Sequence, residues 1–485
     1  MKKDIKIPPS LSSAADMIKN TTGDTCELNS SFLYIGAVRI GIFSAEGMAG
    51  SLMINEALCE AVTNAQSLNF KNGSELFDMM FGSLLTAPDK KAITSLDEII
   101  HLIFSGFTVI IIDGCERAIA FGTQGFQTRS VSLPVNDQTI HGSQEAFSES
   151  IRICVSQIRR RLKTPKLRFE MLNIGKLSRT DVCIAYIDGR ANGKAIADIR
   201  KRLTGIKLDT VLSGEYLLPF IEKGYGSTLF SPTRLTERPD TACAALNEGR
   251  IVILTDGSPF CIIIPTLFAE SFTTPDDLAS KPLYVTFIRW LKFISFFLAA
   301  IFPGLYAAAV FTPEVFAFKL LLNLYSAEES SQLPLGLEVL IITLLLEILK
   351  EAGIRLPKAV GSAVSIVGGL IIGDAAVKCG LISAPLLILV GLTATASFVI
   401  PEISEQVSVI RMIFILSGML AGFAGVACAL ILLISNIIAM DELSCFYAEP
   451  FEPFDKTGIK NILSRLSFKS YERSTTTIPR KGRRA

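Results

Sequence analysis

Histidine is almost missing from this chain. Two residues among 485, His101 and His141, exclude a histidine-rich metal centre and disfavour a Cys/His nucleophile pair. His101 opens the apolar run His-Leu-Ile-Phe and reads as structural, whereas His141 stands in a polar stretch and reads as solvated. The ten cysteines, Cys26, Cys59, Cys115, Cys154, Cys183, Cys243, Cys261, Cys379, Cys428 and Cys445, are scattered singly, with no C-x-x-C and no ligand spacing, and read as reduced, mostly buried thiols. Net charge is also lacking: +1 at pH 7 argues for neither a nucleic-acid binder nor an acidic partner.

Catalytic motifs are wanting too. The loop Ile187 to Ala195 follows a strand and opens a helix, but a Walker A loop needs four residues between its glycines and a hydroxyl after the lysine. Here three residues separate Gly189 from Gly193, and Ala195 follows Lys194, so the Mg²⁺ ligand is gone. No G-x-S-x-G, H-E-x-x-H or paired-carboxylate motif stands in the polar half, and Asp113, Asp188 and Asp256 end strands before glycine, as turn residues do. The reading is therefore not an enzyme, with no catalytic, cofactor-binding or metal-ligating residue.

What is present is apolar sequence, unevenly placed. A hydrophobic fraction of 49% is high for a soluble protein, and it concentrates after Leu283. Before that point the apolar runs are strand-sized, giving an α/β two-lobed soluble N-terminal region: a flexible N-terminus (1–30), a first subdomain (31–140) and a second (141–280). Strand-then-helix units are expected at Leu33 to Thr63 and again at Val182 to Leu203, with a buried strand at Phe107 to Asp113. A linking helix is expected over 144–163, with Glu145 and Glu149 at its start and Arg159, Arg160, Arg161 and Lys163 at its end, complementing the backbone dipole. No signal peptide is evident in Met-Lys-Lys-Asp-Ile-Lys, so the first region is expected on the cytoplasmic side.

The region 283–440 predicts an α-helical multi-span membrane domain. Val285 to Phe311 exceeds the roughly 20 residues that cross a hydrocarbon core, with Arg289 and Lys292 near its inner end. Four more apolar stretches follow: Leu337 to Leu349, Ala359 to Ile372, Leu381 to Ile400 and Val409 to Met440. The basic C-terminal tail, 441–485, carries nine Lys/Arg from Lys456 to Arg484 against Glu472 and is placed inside. Both ends inside require an even number of crossings, so four full spans and one partial piece are expected.

Two patterns in that half bear on function. Gly369 with Gly373, and Gly418 with Gly422, have the G-x-x-x-G spacing that lets helix backbones approach closely. Around the first pair, Gly361, Ser362, Ser365, Val367 and Gly369 are candidates to line an aqueous passage, with Glu347 and Glu351 as charges at its mouth. A plain Glu351 to Arg355 helix-surface pair is the alternative reading of that acid.

Taken together, Gly-Ser-Gln-Glu-Ala-Phe (142–147), Ile-Ala-Tyr-Ile-Asp-Gly-Arg-Ala-Asn (184–192), Leu-Thr-Glu-Arg-Pro-Asp (235–240) and the stretches Glu347 to Ser383 and Leu392 to Glu402 occur in an order that resembles the A-subunit family of spore germinant receptors, the GerA type. The resemblance runs from about Leu33 to Pro453. It implies a two-lobed cytoplasmic region, a multi-span domain in the spore inner membrane, and assembly with a transporter-like B subunit and a lipoprotein C subunit. It further implies nutrient-triggered germination, with A subunits as a homo-oligomer around an ion-conducting pore. One departure is visible: Gly142-Ser143-Gln144-Glu145 replaces the usual Gly-Pro-Arg-Glu and loses a basic residue.

In that frame the stretch before the apolar half becomes a coupling element. Arg250 to Leu254 and Phe260 to Ile264 flank Thr255-Asp256-Gly257-Ser258-Pro259, and Asp-Gly between apolar runs signals a hairpin. Arg250, Asp256, Gly257 and Pro259 are its candidate residues, and Glu237, Arg238 and Asp240 are candidates for contacts between lobes or subunits. Two rival readings are a secondary transporter and a non-conducting membrane scaffold that recruits partner subunits.

Overall fold

The computed structural model describes residues 5–23, 25–66, 70, 72–85, 87, 89–125, 134, 137, 139, 142–278, 280–309, 333–355 and 373–464. Two antiparallel sheets of five strands each organise the polar half. The first contains β1 (Leu28–Ile35), β2 (Val38–Ala45), β3 (Lys91–Ile93), β4 (Phe107–Ile112) and β5 (Ala118–Gly122), with α1 (Leu11–Thr22), α2 (Ser51–Gln66), α3 (Gly73–Met79) and α4 (Leu96–Ile103). The second contains β6 (Leu167–Ile174), β7 (Thr180–Ile187), β8 (Arg234–Thr236), β9 (Ile251–Thr255) and β10 (Cys261–Ile264), with α5 (Ile151–Arg161), α6 (Gly193–Thr204), α7 (Leu218–Ile221) and α8 (Pro239–Glu248).

The centre of each sheet is covered on both faces, which explains the unbroken apolar runs of β4 and β9, whereas the edge strands β1 and β6 carry exposed residues. In β4, Val109 and Ile111 pack with α1 and α4, while Ile110 and Ile112 pack with α2 and α3. In β9, Val252 and Leu254 face α5 and α8, and Ile251 and Ile253 face α6. The strand orders are β1-β2-β4-β5-β3 and β6-β7-β9-β10-β8, the same path walked twice.

The duplication reaches into the turns. Asp113, just past β4, accepts a hydrogen bond from Leu11 N at the start of α1 (2.8 Å), and Asp256, just past β9, accepts one from Ile151 N at the start of α5 (3.0 Å). Each carboxylate thus satisfies one of the free N–H groups that open a helix. The glycine after each, Gly114 at φ 81° and Gly257 at φ 80°, takes the left-handed turn that a side chain would strain.

Helix α5 begins at Ile151, later than the 144 expected from sequence. The residues before it are drawn into other bonds: Phe147 N donates to Glu237 O (2.7 Å), and Gln157 reaches back to Ala146 O (2.8 Å). The basic end of α5 also does more than complement a dipole. Arg160 and Arg161 both bond Glu145, whose carboxyl is desolvated by burial yet held below its ordinary range by the two guanidinium groups. Arg159 is fully buried and bridges the lobes, pairing with Glu27 and standing 4.0 Å from the Phe104 ring centre and 5.2 Å from that of Phe169.

Beyond the second sheet come α9 (Pro282–Ala300), α10 (Phe302–Ala308), α11 (Leu335–Arg355), α12 (Ala384–Phe398), α13 (Ser404–Ala439) and α14 (Lys456–Leu463). Among the described residues two stretches are long and apolar enough to cross a membrane, Pro282–Ala308 and Pro401–Ala439. Both are interrupted. The first breaks at Ile301 ahead of Pro303, and the second at Ala421 (φ −137°) and Gly422 (φ 59°). The expected stretch Ala359 to Ile372 lies outside the described residues.

Candidate functional site

The second sheet and the apolar helices meet in one seam of rings and ion pairs. Phe268 and Phe272, after β10, pack on Phe296 of α9 (both 5.8 Å between ring centres), and Phe272 stacks on Phe293 at 4.0 Å. Phe230 and Tyr447 pack on Phe268 and on each other, their ring centres 6.1 Å apart. Such edge-to-face and offset pairs add about 0.5–1.5 kcal/mol each beyond the area they bury.

Charged groups ring this cluster and join elements far apart in sequence. Arg234 of β8 pairs with Glu402, at the threshold of α13. Arg202 of α6 donates to Glu442, just past α13 (2.8 Å), and Lys223 N donates to the same carboxylate (2.7 Å). Arg289 of α9 bonds Asp277 (2.7 Å) and Ile462 O at the end of α14 (2.9 Å). Arg250, the residue before β9, pairs with Glu270 and Glu248. Burial opposes its charge, but the two carboxylates outweigh that and raise its pKa.

Glu449 lies in the same seam. Burial first, then the charges of Asp455 and Glu270, push its carboxyl up to about 7. A carboxyl raised on folding favours the folded state while protonated and loses that contribution as pH rises through its folded pKa. The expected result is a melting temperature that rises as pH falls from about 7 toward the ordinary carboxyl value of 4.5, with Glu449→Gln removing much of the rise. Thermal scans of the two proteins across that range check it.

Inside the helical half, Arg411 of α13 is buried and donates through Nε to Ala299 O (2.8 Å). The reason lies four residues on. Ala299 O would ordinarily accept from the N–H of residue 303, which is proline and has none. Arg411 supplies the missing donor from another helix, while its Nη1 reaches Glu347 of α11 (3.3 Å). Glu347 also accepts from Ser408 (2.7 Å) and lies 3.7 Å from Lys350.

Below this network two backbones touch. A Cβ added to Gly418 would stand 2.4 Å from Gly304 O, and one added to Gly304 would stand 2.6 Å from Phe414 O. Gly418→Ala is therefore expected to cost about 1–3 kcal/mol by overpacking. A lowered unfolding midpoint of the detergent-solubilised chain checks this; an unchanged midpoint would mean that the two backbones part freely.

The residues singled out in the sequence fall as follows. Gly361, Ser362, Ser365, Val367 and Gly369 lie outside the described residues. Glu347 belongs to the buried network above, and Glu351 pairs with Arg355 on an exposed helix surface (2.6 Å). A Cβ added to Gly373 would stand 3.5 Å from Leu387, an ordinary contact, Gly418 meets Gly304, and Gly422 occupies the helix break. Arg250 reaches Glu270, Asp256 caps α5, Gly257 N donates to Glu149 O (2.8 Å), and Pro259 ends the turn before β10.

Glu237, Arg238 and Asp240 hold the segment that leads from the first lobe into the second. Glu237 accepts from Asp137 N (2.9 Å); Arg238 forks onto Asp240 (3.1 and 2.7 Å) and reaches Asp137 O and Thr139. Arg411, Arg234, Glu402 and the phenylalanine cluster were not singled out from sequence. Arg411 had a signal, being a lone cation within Val409 to Met440. Among the described residues no group of three His, Cys, Asp or Glu converges as for a metal ion.

The chain matches the family model described as Bacillus/Clostridium GerA spore germination protein over residues 16–477. It is 32% identical over 482 residues to "Spore germination protein KA" of Bacillus subtilis (strain 168), spanning 98% of this chain and 88% of that protein. To the "Uncharacterized membrane protein YfkQ" of the same organism it is 35% identical over 390 residues, 80% of this chain and 76% of that one. Among solved structures it is similar to the crystal structure of the N-terminal domain of the A subunit of the Bacillus megaterium spore germinant receptor GerK3, with 29% identity, a TM-score of 0.43, and coverage of 55% of this chain and 99% of that chain.

Proposed function

The chain belongs to the GerA family of spore germination proteins, and from that premise we propose that it is the A subunit of a nutrient germinant receptor in the spore inner membrane, where the seam passes a trigger from the soluble lobes to the helices. In this reading copies of the chain assemble around an ion-conducting path, with a transporter-like B subunit and a lipoprotein C subunit as partners. The soluble region and the C-terminal tail face the spore core.

The observation that carries the coupling is the bond from Arg234 of the second sheet to Glu402 at the start of α13, reinforced by the aromatic cluster. A rigid link between a sheet and a helix end lets one move the other. Reversing the charge tests it. Arg234→Glu is expected to abolish nutrient-triggered ion release from spores at normal protein level, and adding Glu402→Arg to restore it. Normal release from the single variant would sink the coupling.

The candidates for the passage remain Gly361, Ser362, Ser365, Val367 and Gly369, with Glu347 and Glu351 near its mouth. One structural feature favours a second reading, alternating-access transport: two long apolar helices are both interrupted. Conductance in planar bilayers separates them, since a transporter gives saturable flux and a channel gives unitary currents that Ser362→Leu or Ser365→Leu blocks.

A further inference from the structure

Helix α9 turns its charges inward and its rings outward. Arg289 and Lys292 are buried, and Arg289 donates to Asp277 (2.7 Å) and to Ile462 O (2.9 Å). On the opposite face Leu283, Phe287, Trp290, Ile294 and Phe297 are 50% to 88% exposed. They follow one another in steps of four, three, four and three, with Tyr284 and Leu291 exposed beside them. This is the heptad period of a helix that packs lengthwise on other helices, and the flanking pair widens the stripe as a bundle requires.

Lipid accounts for the lower end of the stripe alone. Down to Phe293 the inner face of α9 packs on segments beside the second lobe, Phe293 itself on Phe272 and Phe451, so the hydrocarbon core begins no higher than that residue. Farther down, Ala299 O accepts from Arg411, so the helix descends into the bundle instead of lying flat on the bilayer. From Leu283 to Phe293 the helix rises about 15 Å, and from Phe287 to Phe293 about 9 Å. The headgroup layer on each side of the hydrocarbon core is about 5–7 Å deep. Leu283, Tyr284 and Phe287 therefore stand above it and need another protein surface to cover them.

We propose that this surface is a second copy of the chain, and that copies meet along the α9 stripe; the inference rests on the assembly read above and names its contact. A bilayer gives every copy the same orientation, so the helices pair in parallel and identical residues approach one another. Like charges would then repel, and none of the seven exposed residues is charged, while Arg289 and Lys292 point away. Three aromatic side chains of about 150–250 Å² each, half exposed or more, with the leucine and the isoleucine, offer roughly 500 Å² per copy. Two such faces make about 1,000 Å², the size at which specific interfaces begin.

The test reads the mass of the full chain in a mild detergent by light scattering, beside Phe287→Glu and Trp290→Glu. Both variants are expected to fall from oligomer to single-copy mass, whereas Leu177→Glu, exposed between β6 and β7, keeps the oligomer. In membranes, Phe287→Cys treated with a short bis-maleimide is expected to yield a peptide linked to itself through position 287, a product that takes two copies. An oligomer that survives both glutamate variants, or the lack of that self-linked peptide, would overturn the stripe as the contact and leave the assembly standing. Single-copy mass for the unaltered chain would overturn both. Trp290 is the sole tryptophan, so its fluorescence in reconstituted vesicles separates copy from lipid. Strong quenching by lipids brominated on the acyl chains would assign the stripe to lipid and overturn the proposal.

Discussion

Arg159→Ala is expected to lower the stability of the folded chain by about 3–5 kcal/mol, the cost of leaving a buried carboxylate without its cation. Arg159 is wholly enclosed, and Glu27 nearly so. The guanidinium also bonds Thr164 O (2.7 Å) and Leu167 O (2.9 Å), and its faces lie against Phe104 of the first lobe and Phe169 of the second. Truncation therefore strands two carbonyls and a carboxylate at the boundary between lobes. Arg159→Lys keeps the charge but not the fork, so it should recover only part of the loss. Denaturant unfolding of the three proteins checks the order, and Glu27→Gln combined with Arg159→Ala should cost less than the sum of the two changes.

Arg411→Ala is expected to cost a similar amount, about 3 kcal/mol or somewhat more. Two groups lose a partner at once, the Ala299 carbonyl released by Pro303 and the Glu347 carboxylate. Glu347 keeps Ser408 and Lys350, which places the cost toward the lower end. A second substitution isolates the carbonyl. Pro303→Ala restores an N–H to residue 303, so on that background Arg411→Ala should cost measurably less. Thermal unfolding in one detergent, four proteins compared, decides it; equal costs on the two backgrounds would remove Ala299 from the account.

The legible parts of the fold were those set by local chemistry. Phe107 to Asp113 reads as a strand because β-branched residues run up to Asp-Gly, and the β9-β10 hairpin is signalled by the same dipeptide. The repeated strand order was not legible, because a path through a sheet is set by which strands find one another and not by any local motif. The start of α5 is not legible because Gln144 to Ser150 are helix-compatible residues, and what keeps them out of the helix is distant: Phe147 N bonds Glu237 O, Ala146 O accepts from Gln157, and Glu149 O accepts from Gly257 N. Most of the seam was hidden for a similar reason. Phe272 and Phe293 look like any aromatic residues near an apolar run until folding stacks them.

The proline at 303 has a further consequence for how the helices move. The Ala299 carbonyl that it deprives of a helical donor is a fixed peg on one rod, and Arg411 is the hook on the opposing rod that holds it, with Val407 and Ile415 one turn away on either side. Sliding by a turn, about 5.4 Å, would bring an aliphatic chain to the peg and leave the oxygen bare. Lengthwise travel by a turn therefore costs that hydrogen bond, about 1.5–3 kcal/mol, whereas pivoting about this point keeps it.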